Sequence, residues 1–146
     1  MESTLVSGND ALRTFVLVMD KDDEAFDQLT RFAADHEISG AGLTAVGAAR
    51  AATLGYFDPE ITDYRLTDFD EQMEVLSLVG DIAAKDGSPA LHAHLVLGRK
   101  DSSAIGGHLK KLVVWPTLEV VLTETPAELR KTVDPETGLA LIDLHG

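Results

Sequence analysis

The run Leu91-His92-Ala93-His94-Leu95-Val96-Leu97-Gly98 alternates between two kinds of side chain. In a strand, this alternation sends the leucines to one face of the sheet and both histidines to the other. Residues 85–89 before the run and 99–103 after it contain the Gly, Pro, Asp and Ser that are typical of hairpin connections. The run is therefore predicted to be a strand that pairs antiparallel with the strands on either side of it.

The rest of the chain supplies further strands and one helix. Apolar residues repeat at helical spacing from Ala25 to about His36, after an acidic cluster at 20–24 that offers N-cap carboxylates. Segment 12–19 contains the run Phe-Val-Leu-Val at 15–18 without polar alternation, so it is predicted to be a central strand covered on both faces. Other strands are predicted at residues 39–57, 64–69, 73–80, 90–98 and 113–123. We expect one α+β domain over residues 1–146, with a mostly antiparallel or mixed sheet, one main helix packed on it and a less certain C-terminal segment.

The composition limits the class of protein. The 146 residues are 45% hydrophobic, 25% charged and 5% aromatic, which is typical of a soluble globular domain. The chain has no cysteine, which excludes disulfides, iron–sulfur clusters, zinc fingers and thiol catalysis. No apolar run reaches the roughly 18 residues of a membrane helix, and the N-terminal residues do not resemble a signal peptide. We therefore expect a cytoplasmic protein without a membrane partner.

The charge bears on nucleic-acid binding. Twelve Lys and Arg against 25 Asp and Glu leave a net charge of −13, which repels a phosphate backbone. We expect no nucleic-acid partner for the isolated chain by default. A local basic strip remains a candidate, and it consists of Arg99, Lys100, Lys110 and Lys111.

Residues 40–45, Gly-Ala-Gly-Leu-Thr-Ala, match the letters of the Gly-x-Gly-x-x-Gly/Ala dinucleotide motif. That motif must follow a strand and open a helix, so that the pyrophosphate lies at the helix N-terminus. Here the predicted helix comes first and strand-like sequence follows. We interpret the small residues as permitting close backbone approach beside the helix.

The histidines carry the strongest indication of chemistry. His92 and His94 share one strand face, and His108 follows Gly106-Gly107, whose glycines free the backbone to bring the third ring near. Three imidazoles with an open coordination position suit Zn²⁺ or another first-row divalent ion. The alternative is a hydrogen-bonded polar patch at a subunit contact.

Glu74 and Glu119 each lie within apolar strand sequence, where a buried carboxylate needs a partner. Either could accept a hydrogen bond from a ligating histidine or act as a base on metal-bound water. We favour the alternative that both occupy solvent-facing strand positions or pair with a basic residue across a contact.

Five segments occur in a regular order: residues 74–80 (Glu-Val-Leu-Ser-Leu-Val-Gly), 85–87 (Lys-Asp-Gly), 91–98, 106–109 (Gly-Gly-His-Leu) and 116–120 (Pro-Thr-Leu-Glu-Val). In order and spacing they closely resemble the plants-and-prokaryotes conserved (PPC) domain. Upstream, residues 39–42 and 54–58 are similar to the first half of that domain. The resemblance covers roughly residues 10–125.

The resemblance implies an α+β fold with a strongly bent, mostly antiparallel sheet that associates as a homotrimer. Plant members follow an AT-hook, a basic arm that reads the minor groove, and bacterial members are often labelled DNA-binding by analogy. This chain contains no such arm, and Gln72 replaces the family's usual Arg two residues before the Glu of Glu-x-Leu-Ser-Leu. The His-x-His and Gly-Gly-His motifs are intact. Similar bacterial proteins hold a metal with these histidines, which implies a metal site at His92, His94 and His108.

Three hypotheses follow. The first is a homotrimeric binding or assembly module with a three-histidine divalent-metal site, with zinc as the expected ion and water, a small anion or a small molecule in the open position. The second is a DNA-associated regulator that uses the basic strip or a DNA-binding partner. The third is a metal-dependent enzyme in which the ion activates water. We favour the first, because the charge argues against the second and no substrate is indicated for the third.

Overall fold

A computed structural model describes residues 1–9 and 12–144, which form nine strands and one helix. The strands are β1 (Glu2–Asn9), β2 (Leu12–Met19), β3 (Gly40–Asp58), β4 (Asp63–Phe69), β5 (Met73–Lys85), β6 (Ser88–Gly98), β7 (Ala104–Glu124), β8 (Arg130–Val133) and β9 (Ala140–Asp143). The helix α1 (Ala25–Asp35) lies between β2 and β3. This architecture confirms the predicted α+β class. None of the helical sequence in the described residues is long and apolar enough to cross a membrane.

The nine strands form one sheet, with the main order β1-β2-β7-β3-β5-β8-β9. β4 pairs with β3, and β6 pairs with both β5 and β7. β7 is 21 residues long, so its first part pairs with β6 and its last part pairs with β2, while β3 accompanies it along most of its length. The pairings of the described strands are antiparallel except for one parallel bridge between β5 and β8. The predicted mostly antiparallel, mixed sheet is therefore confirmed.

The helix begins and ends where the sequence predicts. Glu24 is the N-cap, and its carboxylate accepts hydrogen bonds from the backbone N–H groups of Phe26 and Asp27. The same carboxylate accepts a 2.9 Å hydrogen bond from the backbone N–H of Leu112, which fixes the start of α1 against β7. His36 is the C-cap. The helix buries its apolar stripe against the sheet, namely Ala25, Leu29, Phe32 and Ala33.

The two faces of the sheet differ in burial. On β2, Phe15, Leu17 and Met19 are at most 5% exposed and join the core, whereas Val18 on the opposite face is 38% exposed. The prediction that segment 12–19 is central and covered on both faces is therefore wrong for a single chain. β2 lies second from the end of the sheet, and α1 covers only the inner face.

The outer face of the sheet is lined by one row of directly paired residues, which we call the outer row. The row runs from β2 through β7, β3, β5 and β6 to the first part of β7, and it consists of Val16, Val121, Thr44, Val79, His94 and His108. Directly paired residues present their side chains on the same face. Val79 is 50% and Val121 46% exposed, so an apolar surface leads across the sheet to two of the histidines.

Two regions of the fold were not predicted in detail. β1 contributes a strand whose only large apolar residues, Leu5 and Val6, are both exposed, so its sequence lacks the periodic burial that identifies a strand. The C-terminal segment forms the hairpin β8–β9 (Arg130–Val133 and Ala140–Asp143), which joins the sheet through the bridge between Ala84 and Arg130.

Candidate metal centre

Strand register brings the three predicted histidines together. His94 on β6 lies directly opposite His108 on β7. His92 precedes His94 by two residues and therefore lies on the same face of β6. His108 belongs to strand β7 itself, because β7 begins at Ala104 rather than near residue 113 as the sequence predicted. The structure thus assembles the predicted set from two adjacent strands of a hairpin.

The three imidazoles form a nearly equilateral triangle. The ring centroids are 5.1 Å apart for His92 and His94, 5.3 Å for His92 and His108, and 5.2 Å for His94 and His108. One ligand nitrogen from each ring lies within 4.8 Å of the others. The Nε2 atoms of His92 and His94 are 3.2 Å apart. These rings converge on a common point, as the ligands of a single ion do.

The electrostatics of the cluster favour neutral rings. Burial lowers the pKa of His108 to about 4, and the positive charge of Lys110 adds to this effect. Burial also lowers the pKa of His94, with a smaller contribution from His92. Two of the three rings are therefore neutral at pH 7, which is the form that binds a metal.

One ring nitrogen of the cluster has no hydrogen-bond partner among residues 1–9 and 12–144. The Nδ1 atom of His108 is buried and makes no hydrogen bond with the described residues. A buried polar atom without a partner is costly, and a lone pair donated to a metal ion removes that cost. The residues present therefore fit a divalent ion such as zinc.

Aromatic packing fixes the position of His108. The ring of Tyr64 on β4 stacks on the imidazole with centroids 4.5 Å apart. Gly55 lies opposite His108 in the sheet, and a Cβ there would come within 2.8 Å of the Tyr64 ring. Glycine at this position therefore makes room for the stack. The ammonium of Lys110 on β7 lies 4.1 Å from the centroid of the Tyr64 ring.

An acidic residue that the sequence analysis did not single out stands beside the histidines. Asp81 on β5 is directly opposite His92, and its Oδ2 atom lies 3.3 Å from Nδ1 of that ring. The other oxygen of Asp81 lies 2.6 Å from Nζ of Lys131, on the C-terminal hairpin. The side chain of Lys131 is only 3% exposed. Strand register relative to His92 would have identified Asp81, but register cannot be read from a single sequence.

The structure does not bring Glu74 or Glu119 to the histidines. Glu74 lies opposite Gly98, four residues past His94 on β6, which corresponds to about 13 Å along a strand. Glu119 lies between Val18 of β2 and Val46 of β3, in the part of β7 that does not pair with β6. Both glutamates are exposed, in agreement with the solvent-facing interpretation.

The four residues of the predicted basic strip lie in two pairs. Arg99 and Lys100 occupy the turn between β6 and β7, where Arg99 forms a 2.7 Å ion pair with Glu71. Lys110 and Lys111 lie on β7 beyond the histidines. A nucleic-acid role for these residues stays a prediction.

Comparisons with known proteins identify the family. The model of the Plants and Prokaryotes Conserved (PCC) domain matches residues 6–126, so the chain belongs to this family, the one that its motifs resemble. No protein of curated function matches the sequence.

Several crystal structures share the fold over nearly the whole chain. A putative DNA-binding protein from Bacteroides thetaiotaomicron is 26% identical with a TM-score of 0.90, covering 99% of each chain. A plant- and prokaryote-conserved protein from Pyrococcus horikoshii is 28% identical with a TM-score of 0.85, covering 95% of this chain and 97% of its own. A metal-containing protein from Archaeoglobus fulgidus is 31% identical with a TM-score of 0.82, covering 97% of this chain and 98% of its own.

Proposed function

We propose that this protein is a homotrimeric binding module that holds one divalent metal ion, zinc, on His92, His94 and His108 of each chain. The observation that carries the proposal is the convergence of three imidazole nitrogens within 4.8 Å. The open coordination position would take water or a small anion. The function of the site would be metal and ligand binding.

The distance between two of the ligands supports a tetrahedral ion. Zinc binds histidine nitrogen at about 2.0–2.1 Å, so two ligands of a tetrahedral zinc are about 3.3 Å apart. The Nε2 atoms of His92 and His94 are separated by 3.2 Å. The two rings of strand β6 therefore need little movement to bind one ion.

The charge of the site supports a small anion as the further ligand. Three neutral imidazoles leave the charge of a divalent ion uncompensated, and Lys110 lies close enough to lower the pKa of His108. Zinc bound in this way supplies a Lewis acid that lowers the pKa of a bound water. The chain itself contributes the orientation of three rings and the partial exclusion of solvent around His108.

Similarity to a metal-containing protein supports the same reading. The Archaeoglobus fulgidus protein described as metal-containing is 31% identical to this chain over almost its full length. The description of the Bacteroides protein as a putative DNA-binding protein does not carry over in the same way, because the net charge of −13 opposes binding to a phosphate backbone.

Two observations support the proposed homotrimer, namely the exposed outer face of the sheet and the family resemblance. Besides the outer row, this face exposes further large apolar side chains, namely Val18, Val46, Leu76 and Val96. Exposed apolar side chains gathered on one face are typical of an association surface. The exposed Glu119 lies among them, between Val18 and Val46. Because the outer row ends at His94 and His108, a neighbouring chain on this face would lie beside the metal centre.

Elemental analysis of untagged protein, followed by zinc titration, tests the metal site. We expect one zinc ion per chain in the wild type and loss of that zinc in His92→Ala and in His108→Ala. His36→Ala is the matched control, since His36 stacks on Phe32 at the end of α1 and lies outside the cluster. Wild-type stoichiometry in all three variants, or a wild type that binds no zinc, would show that the histidines are a structural polar cluster.

A further inference from the structure

The C-terminal hairpin contributes a buried cation to the surroundings of the histidines. Lys131 lies on β8, and its side chain is 3% exposed with the ammonium 2.6 Å from Oδ1 of Asp81. A lysine this deeply buried must be paired, because an isolated ammonium loses its hydration without compensation. The contact is an ion pair without hydrogen-bond geometry, since Oδ1 has no hydrogen-bond partner among the described residues, and it keeps the Asp81 carboxylate beside β8.

The second oxygen of this carboxylate faces a metal-ligand candidate. Oδ2 of Asp81 lies 3.3 Å from Nδ1 of His92, while Nε2 of the same ring points toward His94 at 3.2 Å. A ring that donates Nδ1–H to a carboxylate keeps its proton on Nδ1 and leaves the Nε2 lone pair free for a metal. Ligating histidines usually have such a carboxylate or carbonyl acceptor, and this acceptor increases their basicity.

We propose that Asp81, held by Lys131, is a positioning residue: it orients His92 so that this ring binds the metal through Nε2. This inference rests on the proposed metal site and deepens it. The chain of contacts runs from a buried lysine through a carboxylate to Nδ1 at one edge of the imidazole, and Nε2 of that ring is directed to the cluster.

The hairpin that supplies Lys131 lies beyond the segment that the family model matches, which ends at residue 126. It is held against β5 by the bridge between Ala84 and Arg130 and by a 2.7 Å hydrogen bond from the backbone N–H of Ala84 to the carbonyl of Leu129. Affinity for the metal therefore depends on docking of a segment outside the matched domain.

The test compares zinc affinity in the full-length wild type, Lys131→Met, and the double variant Asp81→Leu/Lys131→Met. The double variant replaces both charges by apolar side chains of similar size, a change that is often neutral for stability. We expect it to bind zinc roughly 10- to 100-fold more weakly, as is typical for loss of a partner of a ligating histidine. Lys85→Met is the matched control, because Lys85 lies at the far end of β5 opposite Ser88.

A second readout separates positioning from general structural damage. In metal-free protein, imidazole ¹⁵N shifts report which ring nitrogen carries the proton. We expect the Nδ1–H form of His92 in the wild type and in Lys85→Met, and loss of that preference in the double variant.

The outcomes distinguish the two proposals. If the wild type binds zinc and the double variant binds it equally well with an unchanged His92 tautomer, the positioning role is wrong and the metal site stands. If the wild type binds no zinc, both proposals fail. If the double variant does not fold, the zinc affinity of Lys131→Met is the test. A zinc affinity equal to that of the wild type in this variant overturns the inference.

Discussion

The environment of His108 differs strongly from water. It is partly buried, stacked on Tyr64 and close to Lys110, and the loss of hydration lowers its pKa to about 4. A histidine with this pKa stays neutral throughout the physiological range. It therefore cannot act as a pH sensor near neutrality, but it is always available as a ligand.

This pKa predicts how the stability of the metal-free protein depends on pH. The unfolded chain takes up a proton on His108 as the pH falls through about 6.5, whereas the folded chain does so only near pH 4. Between these values the unfolded state binds more protons, so the free energy of unfolding decreases as the pH falls from 6.5 to 4. Above pH 6.5 the residue contributes no pH dependence.

Urea unfolding at several pH values, in the presence of a chelator, measures this effect. His108→Phe keeps an aromatic ring against Tyr64 and has no titrating group, so we expect its stability to decrease less between pH 6.5 and 4 than that of the wild type. Equal slopes for the two proteins over this range would contradict the assignment.

The sequence alone predicted the three histidines of the candidate site, but it did not predict Asp81 and Lys131 beside them. Strand alternation places His92 and His94 on one face without any knowledge of the fold. Asp81 could not be found in this way, because it lies past the predicted end of its strand at residue 80 and becomes relevant only through its pairing with His92. Lys131 is 50 positions further along the chain, and no local pattern connects the two.

At the scale of single elements, β3 shows how one glycine permits an irregularity in strand pairing. The pairing of β3 shifts register on both sides at Gly47, against β5 and against β7. A Cβ on this residue would overlap the carbonyl oxygen of Thr117 on β7. The strand therefore continues through the irregularity only because the side chain is absent.

Gly47→Ala should destabilise the protein by about 1–3 kcal/mol, since the backbone must move to relieve the overlap. Gly42→Ala is the matched control on the same strand, because a Cβ there meets nothing within 4 Å. The control should change the free energy of unfolding by no more than about 0.5 kcal/mol. Urea denaturation of both variants checks the prediction, which equal stabilities would contradict.

The elements were predicted unevenly, for identifiable reasons. The helix has an acidic N-cap followed by apolar residues with a 3.6-residue period. β3 begins with a run of mostly small residues, with Thr and Val among them. β7 was predicted only from residue 113, because Gly106 and Gly107 lower the strand signal of its first part. Tertiary pairing with β6 keeps these glycines in the sheet.

At the scale of the whole molecule, the exposed outer face predicts association. Light scattering should give about three times the chain mass of 15.7 kDa. Val121→Asp should shift the protein toward the monomer, because it places a charge between Val16 and Thr44 in the outer row.

Val133→Asp provides a control for the Val121 variant. Val133 is 56% exposed on the C-terminal hairpin, away from the outer row, so this variant should keep the wild-type mass. A wild-type monomer at micromolar concentration would rule out the proposed assembly.

The net charge predicts that duplex DNA is not bound. The proposed homotrimer would carry three times −13, or −39, a net charge that disfavours approach to a polyanion. At about 0.15 M salt we expect no gel shift of duplex DNA at submicromolar protein. A submicromolar shift that is lost when Lys110 and Lys111 are changed to Glu would instead support the DNA-associated hypothesis.

The pairing of β2 with the last part of β7 has a consequence for synthesis of the chain. Met19 of β2 pairs with Leu118 of β7. The ribosome must therefore add about 100 residues after Met19 before β2 can pair with β7. At about 5–20 residues per second, translation of that stretch takes roughly 5–20 s. During this interval the β1–β2 hairpin has an open edge, which is where strands of nascent chains pair wrongly. On a polysome, neighbouring copies of this nascent chain therefore expose the same unpaired strand edge to one another.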